Sequence, residues 1–307
     1  MNNVIKKLFL GLLLLISVPL FAQQDSQYTH YMYNTIAVNP AYAGSRNVLS
    51  VVLMHRTQWQ GIQGAPKTQL LSINSPLNYN VGIGASVLRD EIGPATETQF
   101  AVDYSYTLTL NNKDTKLAFG LKGGLNSLTV DFTKLLIYDP TDVSFQENIS
   151  GRLSPIVGVG TYLYNERWYL GISVPNLLKT KHYNHTSIST AKESAHLNII
   201  GGYVFNLSEN VQYKPAFLVK AVKGSPVALD FSSSFLIGEK LILGASYRLD
   251  AAVSAMVGIQ ASRKFMFGYA YDYDTTDIGN YNSGSHEFLL RFELFTKVKG
   301  KVSPRFF

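Results

Sequence analysis

The stretch QFAVDYSYTLTL, residues 99–110, alternates without interruption between large apolar side chains and small or polar ones. Successive side chains of a β-strand point to opposite faces, so this stretch predicts a strand with one apolar and one polar face. A tilted strand needs about 9–11 residues to cross a bilayer, and this one is long enough. Its apolar face consists of Phe100, Val102, Tyr104, Tyr106, Leu108 and Leu110.

The same alternation returns at short intervals along residues 47–296. About 14 segments follow it, most of them near the length that a membrane strand needs. Many short alternating strands are typical both of soluble sandwiches and of outer-membrane barrels. The segments lie near 47–59, 67–74, 81–89, 97–110, 115–127, 153–164, 167–174, 194–206, 211–222, 227–237, 240–248, 252–260, 263–273 and 285–296.

The connections between these segments sort by length, which separates the two classes. Connections after even-numbered strands are short, whereas long ones at 60–66, 90–96, 128–152, 175–193 and 274–284 follow odd-numbered strands. Bacterial barrels keep short turns on the periplasmic side and long loops outside, whereas a sandwich has no reason for this sorting. The sequence therefore predicts an all-β, antiparallel, up-and-down transmembrane barrel in the outer membrane, with both termini periplasmic.

The composition agrees with a lipid-facing β protein. Only 16% of the residues are charged, although 46% are hydrophobic, and average soluble domains carry about 25% charged residues. The absence of cysteine excludes a disulfide scaffold, a thiolate metal site and a lipid-modified cysteine anchor. The net charge of +6 is spread along the chain, so nothing indicates a nucleic-acid partner.

Three segments fall outside the predicted barrel. Residues 1–22 are predicted to be a signal peptide, because Lys6 and Lys7 precede an apolar run that ends before Ala22. Residues 23–46 are rich in tyrosine but irregular, and we expect them to plug the barrel mouth or to dock a periplasmic partner. Residues 297–307 contain Pro304, which breaks the alternation, and are predicted to be a C-terminal tail.

The sequence gives little support to catalysis or to metal binding. It contains no G-x-S-x-G, Walker, H-E-x-x-H or G-x-G-x-x-G motif. His182 and His185 have H-x-x-H spacing but no third ligand nearby, so they are interpreted as loop residues. Asp272, Asp274 and Asp277 are interpreted as an acidic rim, with a weak calcium site as a minor alternative. No cofactor is expected.

The polar faces of the predicted strands carry charges of both signs in nearly equal number. Charges taken out of water are tolerated only when they are paired, and a selective ion pore would show rings of one sign. The charges therefore predict a cross-linked, narrowed lumen rather than an ion channel. The residues assigned to this network are Asp103, Lys122, Lys220, Asp230, Arg248, Arg291 and Glu293, and Arg56, Lys214, Asp272 and Glu287 lie on the same faces.

The chain also carries a long, collinear set of motifs. The most specific are Y-M-Y-N and N-P-A-Y-A-G-S-R within residues 24–46, R-x-Q-W-x-G-I-x-G-A-P-K-T-Q at residues 56–69, and the terminal S-P-R-F-F. In these motifs the chain resembles the PorP/SprF family of outer-membrane proteins associated with type IX secretion. The resemblance implies a non-catalytic role in protein secretion or gliding motility. Further matches lie at 92–94, 173–178, 218–226, 243–248, 268–273 and 283–287.

The resemblance implies protein partners of two kinds. One is the periplasmic secretion ring or a linker lipoprotein, and the other is the C-terminal domain of a large secreted adhesin. Most of the motifs fall at the predicted outer end, although Gly-Pro motifs also simply shape tight loops. A passive porin or a transporter of small hydrophobic ligands is the alternative function. The partner-binding candidates are Asn39, Pro40, Tyr42, Gly44, Arg56, Trp59, Gly64, Pro66, Lys67, Gly93, Pro94, Pro175, Asn176, Lys223, His286 and Glu287.

Overall fold

The computed structural model describes residues 27–110, 115–135, 147–178 and 195–294. Its strands form one antiparallel sheet that closes on itself as a 14-strand barrel, as the alternation predicted. The strands are β1 (Leu49–Thr57), β2 (Lys67–Pro76), β3 (Val81–Ile92), β4 (Ala95–Leu110), β5 (Thr115–Val130), β6 (Ile149–Tyr164), β7 (Trp168–Val174), β8 (His196–Tyr203), β9 (Phe205–Asn206), β10 (Val211–Val222), β11 (Ala228–Ile237), β12 (Leu241–Arg248), β13 (Ala252–Gln260), β14 (Phe265–Asp274) and β15 (Ser285–Leu294).

The first and last strands close the ring. β1 pairs with β15 along its whole length, from Leu49 opposite Leu294 to Thr57 opposite His286. The other strands pair with their neighbours in the chain, so the barrel has up-and-down topology. Closure leaves no sheet edge around the ring, which is the condition for a β-structure to cross a bilayer.

β8 and β9 are two parts of a single strand of the wall. Both pair with β10 in one register. The N–H of Val204 donates to the carbonyl of Arg167 at 2.8 Å, so the N–H and C=O of Tyr203 face β10 instead. The residue opposite Tyr203 in that register is Pro215, which has no N–H to complete the ladder. The proline explains why the strand is interrupted there.

The predicted apolar face of residues 99–110 is the outer surface of the barrel. Phe100 is 52% exposed and Tyr104 is 45% exposed. Asp103, which precedes Tyr104, and Ser105, which follows it, are fully buried. The same alternation places Phe267 outside and Ala270 inside on β14. The exposed aromatic and aliphatic side chains therefore form the surface that faces lipid.

The connections lie at two ends, which we call the long-loop end and the short-turn end. Among the described residues, the long-loop end carries 58–66, 93–94, 131–135, 147–148, 175–178, 195, 223–227, 249–251 and 275–284, and the short-turn end carries 77–80, 165–167, 207–210, 238–240 and 261–264. The prediction of a loop over residues 90–96 was wrong. β3 continues to Ile92 and β4 begins at Ala95, because Gly93, with a φ of 56°, allows a two-residue turn.

Helical structure in the described residues is limited to short 3₁₀ turns, at Thr35–Ala37, Pro40–Tyr42, Phe132–Lys134 and Asp277–Tyr281. No helix in this part of the chain is long and apolar enough to cross a membrane. The predicted signal peptide, the predicted C-terminal tail and the pair His182 and His185 lie outside the described residues.

Residues 28–46, which we call the lumen segment, lie inside the barrel. All of them are buried except Ala37, which is partly buried. Their apolar side chains and those of the inner wall form the larger of the two apolar clusters in the described residues, for example Ile36 with Ile200 and Met54. The lumen is therefore filled by the protein's own chain.

Candidate functional site

One side of the lumen is lined by glycines that the lumen segment touches directly. This glycine wall consists of inward-facing positions on β3, β5, β6 and β7. A Cβ atom added to any of these glycines would overlap the lumen segment, and at Gly120 the overlap would be with the backbone of Ala41 and Pro40. The wall has no side chains here because the lumen segment occupies their space. The glycines are Gly82, Gly84, Gly120, Gly160 and Gly171.

Hydrogen bonds in both directions join the wall and the irregular backbone of the lumen segment. Ser105 donates its hydroxyl to the carbonyl of Ala43 at 2.7 Å, and Ser173 donates to the carbonyl of Val38 at 2.6 Å. Asn39 donates its side-chain N–H to the carbonyl of Thr161 at 2.9 Å, and its Oδ1 accepts the N–H of Ala41. Buried carbonyls need such partners, so these polar side chains fix one path of the chain through the lumen.

The opposite side, which we call the charged wall, is formed by the inward faces of β14, β15 and β1. Near its long-loop end, Glu287 accepts the N–H groups of Thr29 and His30 at 2.9 and 2.8 Å. The Nδ1 atom of His30 lies 2.7 Å from the same carboxylate. Asp272 accepts the hydroxyl of Thr29 at 2.8 Å. Arg56 joins both carboxylates, at 2.6 Å from Asp272 and 3.2 Å from Glu287. This cluster is the upper anchor.

A second charged contact, the lower anchor, holds the other end of the lumen segment. Arg46 pairs with Glu293 on β15, and the Nε atom of Arg291 lies 3.5 Å from the same carboxylate. Lys214 lies nearby, 4.8 Å from the ring centroid of Tyr33. Glu293 is the carboxylate that Arg46 and Arg291 share at this anchor.

The remaining charges of the predicted lumen network also face inward and have partners. Lys122 pairs with Asp103 at 2.9 Å across β4 and β5, and Arg248 pairs with Asp230 at 3.0 Å across β11 and β12. Lys220 lies 5.8 Å from the ring centroid of Tyr28. Sequence reasoning did not include His30 and Arg46, because the lumen segment has no period from which to assign its faces.

The acidic residues near the long-loop end accept hydrogen bonds from other side chains of the protein. Both oxygens of Asp272 accept hydrogen bonds from Thr29 or Arg56, and one oxygen of Asp274 accepts the indole N–H of Trp59 at 3.4 Å. In the part of the chain that the structure describes, no group of three or more His, Asp or Glu side chains could hold a metal ion.

The loops of the long-loop end are joined to one another by backbone hydrogen bonds, and we call the joined loops the rim. The N–H of Gln60 donates to the carbonyl of Gly284 at 2.8 Å, and the N–H of Ser283 donates back to Gln60 at 2.8 Å. The N–H of Gly93 donates to the carbonyl of Gly64 at 2.8 Å. Trp59 adds a bond from its N–H to the hydroxyl of Ser285. The rim is thus a pre-formed surface.

The partner-binding candidates fall in three places. Six are buried in the lumen: Arg56 and Glu287 belong to the wall that contacts the lumen segment, and Asn39, Pro40, Tyr42 and Gly44 belong to the segment itself. His286 faces outward on β15, where its Nδ1 atom lies 2.8 Å from the hydroxyl of Tyr269. The candidates that lie in or next to the connections of the long-loop end are Trp59, Gly64, Pro66, Lys67, Gly93, Pro94, Pro175, Asn176 and Lys223.

Comparison with known proteins identifies the family. The family model described as type IX secretion system membrane protein PorP/SprF matches residues 20–292. The chain belongs to the PorP/SprF family. This confirms the resemblance seen in the motifs. Together with the closed barrel, membership of the PorP/SprF family makes the protein an outer-membrane β-barrel associated with type IX secretion.

The solved structures similar to this PorP/SprF barrel include a hydrocarbon channel and an outer-membrane protein. The CymD monoaromatic hydrocarbon channel aligns with a TM-score of 0.51 and 11% identity, over 86% of this chain and 93% of that one. The outer-membrane protein Omp33 of Acinetobacter baumannii aligns with a TM-score of 0.49 and 9% identity, over 81% of this chain and 98% of that one. At 11% identity the likeness to CymD shows the fold alone. A search of curated proteins gives no match.

Proposed function

We propose that this PorP/SprF protein is a non-catalytic component of type IX secretion that binds a secreted, adhesin-type protein at its rim. In this role it helps to export the partner or to hold it at the cell surface. The observation that carries the proposal is the filled lumen. A barrel whose interior is packed with its own chain from the upper to the lower anchor offers surfaces for binding rather than a path for transport.

The rim has the properties of a binding surface. Its loops are fixed by hydrogen bonds before any partner arrives, so binding loses little conformational entropy there. Tyr281 is 77% exposed at the long-loop end, and exposed aromatic side chains are frequent anchors of protein interfaces. In the predicted orientation this end faces outside, where a secreted protein is found.

The other kind of partner, the periplasmic ring or a linker lipoprotein, would meet the opposite end of the barrel. The short-turn end is predicted to face the periplasm, and Tyr79 is 94% exposed in one of its turns. The two kinds of partner therefore need different ends of the same molecule. This difference gives a direct experiment.

Tyr281→Ala and Tyr79→Ala form a matched pair, because each removes one exposed tyrosine ring from one end. The protein is purified from cells with a mild crosslinker, and bound proteins are identified by mass spectrometry. We expect Tyr281→Ala to lose a secreted partner that Tyr79→Ala retains. Loss of a periplasmic partner in Tyr79→Ala alone would assign the ring instead. If both variants retain the same proteins as the unaltered chain, binding at the rim is contradicted.

The second candidate function is a porin or a transporter of small hydrophobic ligands. Its support is the fold shared with CymD, which is a monoaromatic hydrocarbon channel. In planar bilayers the purified protein is expected to give no large steady current, because the lumen segment fills the lumen. A large steady current would favour the porin, and deletion of residues 28–46 is the positive control that should raise the current.

A further inference from the structure

The contacts of one wall strand, β15, show in which direction the lumen segment runs through the barrel. On β15, Glu287 contacts Thr29 and His30, and Glu293 contacts Arg46. These two glutamates lie about 20 Å apart along the strand at the usual rise of about 3.3 Å per residue. β15 begins at Ser285 on the long-loop end and ends at Leu294 on the short-turn end. The segment therefore runs from the long-loop end to the short-turn end.

Other strands give the same direction independently. Arg56, in the upper anchor, lies next to the last residue of β1 at the long-loop end. Lys220, against the ring of Tyr28, lies two residues from the end of β10 at Val222, also at the long-loop end. At the opposite end, Gly44 packs against the backbone of Pro76, the last residue of β2.

We propose that the amino-terminal end of the lumen segment belongs to the surface of the long-loop mouth. Gln27, which is only partly buried, is then reached from the same side of the membrane as the rim. β1 begins and β15 ends on the other side. The sequence pattern led us to expect both termini at the short-turn end, and this placement departs from that expectation for the amino-terminal end.

The interaction surface at this mouth is then composite. A secreted protein that binds the rim also meets Gln27, which precedes the residues of the upper anchor. The identity of that partner rests on the proposed function, whereas the side on which Gln27 lies rests on the contacts of Thr29, His30 and Arg46 alone. The two statements can therefore fail separately.

Single cysteines test the placement without background, because the protein contains none. Gln27→Cys is compared with Gln63→Cys, an exposed position in the rim, and with Tyr79→Cys in a short turn. Intact cells and lysed cells are treated with a membrane-impermeant maleimide. In intact cells we expect Gln27→Cys and Gln63→Cys to be labelled or protected together, and Tyr79→Cys to give the opposite result.

The comparison holds for either orientation of the barrel, since only the grouping of the three positions matters. Labelling of Gln27→Cys together with Tyr79→Cys, and not with Gln63→Cys, would overturn the placement. Folding of each variant is checked by its heat-dependent migration on gels.

A second measurement tests the composite surface. A bulky maleimide attached to Gln27→Cys should abolish recovery of the secreted partner. Full recovery of the partner by the labelled protein would refute the composite surface and leave the proposed function intact.

Discussion

The glycine wall and the charged wall hold the same lumen segment by different physical means. Along the glycine wall the backbone of the segment lies where side chains would otherwise be, so the contact depends on the absence of atoms. Along the charged wall the contact depends on buried carboxylates that are each shared between the segment and an arginine. The contact with the glycine wall should therefore be lost when a larger side chain replaces one of its glycines. The contact with the charged wall should be lost when one of its carboxylates is replaced by a neutral group.

The largest effect is expected from Glu287→Gln. Loss of this charge breaks one of the two ion pairs of the buried Arg56 and weakens the acceptor of the N–H groups of Thr29 and His30. Breaking a buried pair costs about 3–5 kcal/mol. The free energy of unfolding is measured by urea denaturation of the protein in lipid or detergent. Glu91→Gln is the control, because Glu91 pairs with Arg89 at an exposed site where such pairs contribute about 0–1 kcal/mol. Equal losses in both variants would contradict the role of the upper anchor.

The next effect is expected from Gly120→Val on the glycine wall. Its side chain would overlap the backbone of Ala41 and Pro40, and overpacking of a filled interior costs about 1–3 kcal/mol. Gly123→Val on the same strand is the matched control, because no atom lies within 4 Å of a Cβ at Gly123. The prediction fails if the two valines destabilise the barrel equally in the same denaturation experiment.

Combining Glu287→Gln with Gly120→Val asks whether the two walls act through one element. If either substitution alone releases the whole lumen segment from the walls, the loss in free energy of unfolding of the double variant is smaller than the sum of the two single losses. The expected difference is about 0.5–3 kcal/mol, which is typical of coupled sites. Simple addition of the two single losses would show instead that each wall holds its part of the segment separately. The free energies of unfolding of the unaltered chain, the two single variants and the double variant complete the double-mutant cycle.

A smaller effect is expected from Asn39→Ala. The substitution removes the hydrogen bonds from Asn39 to Thr161 and from Ala41 to Asn39, and a typical hydrogen bond contributes about 0.5–1.5 kcal/mol. Asn80→Ala, which removes an exposed bond to the carbonyl of Thr107, is the control and should cost less. A loss for Asn39→Ala no greater than for Asn80→Ala would refute a positioning role for Asn39 on the glycine wall.

The barrel could be predicted from sequence because lipid imposes a period of two on each strand. Phe100 and Asp103 were assigned to opposite faces on that basis alone, and the pair of Asp103 with Lys122 follows because they lie directly opposite on β4 and β5. The short turn at Gly93 and Pro94 was missed, since Ala95 and Thr96 carry no strong strand signal before the alternation becomes clear.

The contacts of the lumen segment could not be predicted in the same way. The glycines of the inner wall were visible in the sequence as part of a small, polar face. However, the backbone that fills the space at Gly120 belongs to Pro40 and Ala41, far away in the chain and without any period. Arg46 is visible in the sequence as a positive charge, but only the folded chain shows that it is buried beside Glu293.

The direction of the lumen segment also gives the molecule a mechanical polarity. Its carboxyl-terminal end continues through Asn47 into β1, which pairs with β15 on one side and with β2 on the other. Tension applied to Gln27 from the long-loop side is therefore transmitted through the anchors in series and is finally resisted by the shear strength of the wall. The strand pairs of β1 are therefore the last connection that holds the segment in the barrel against such a force.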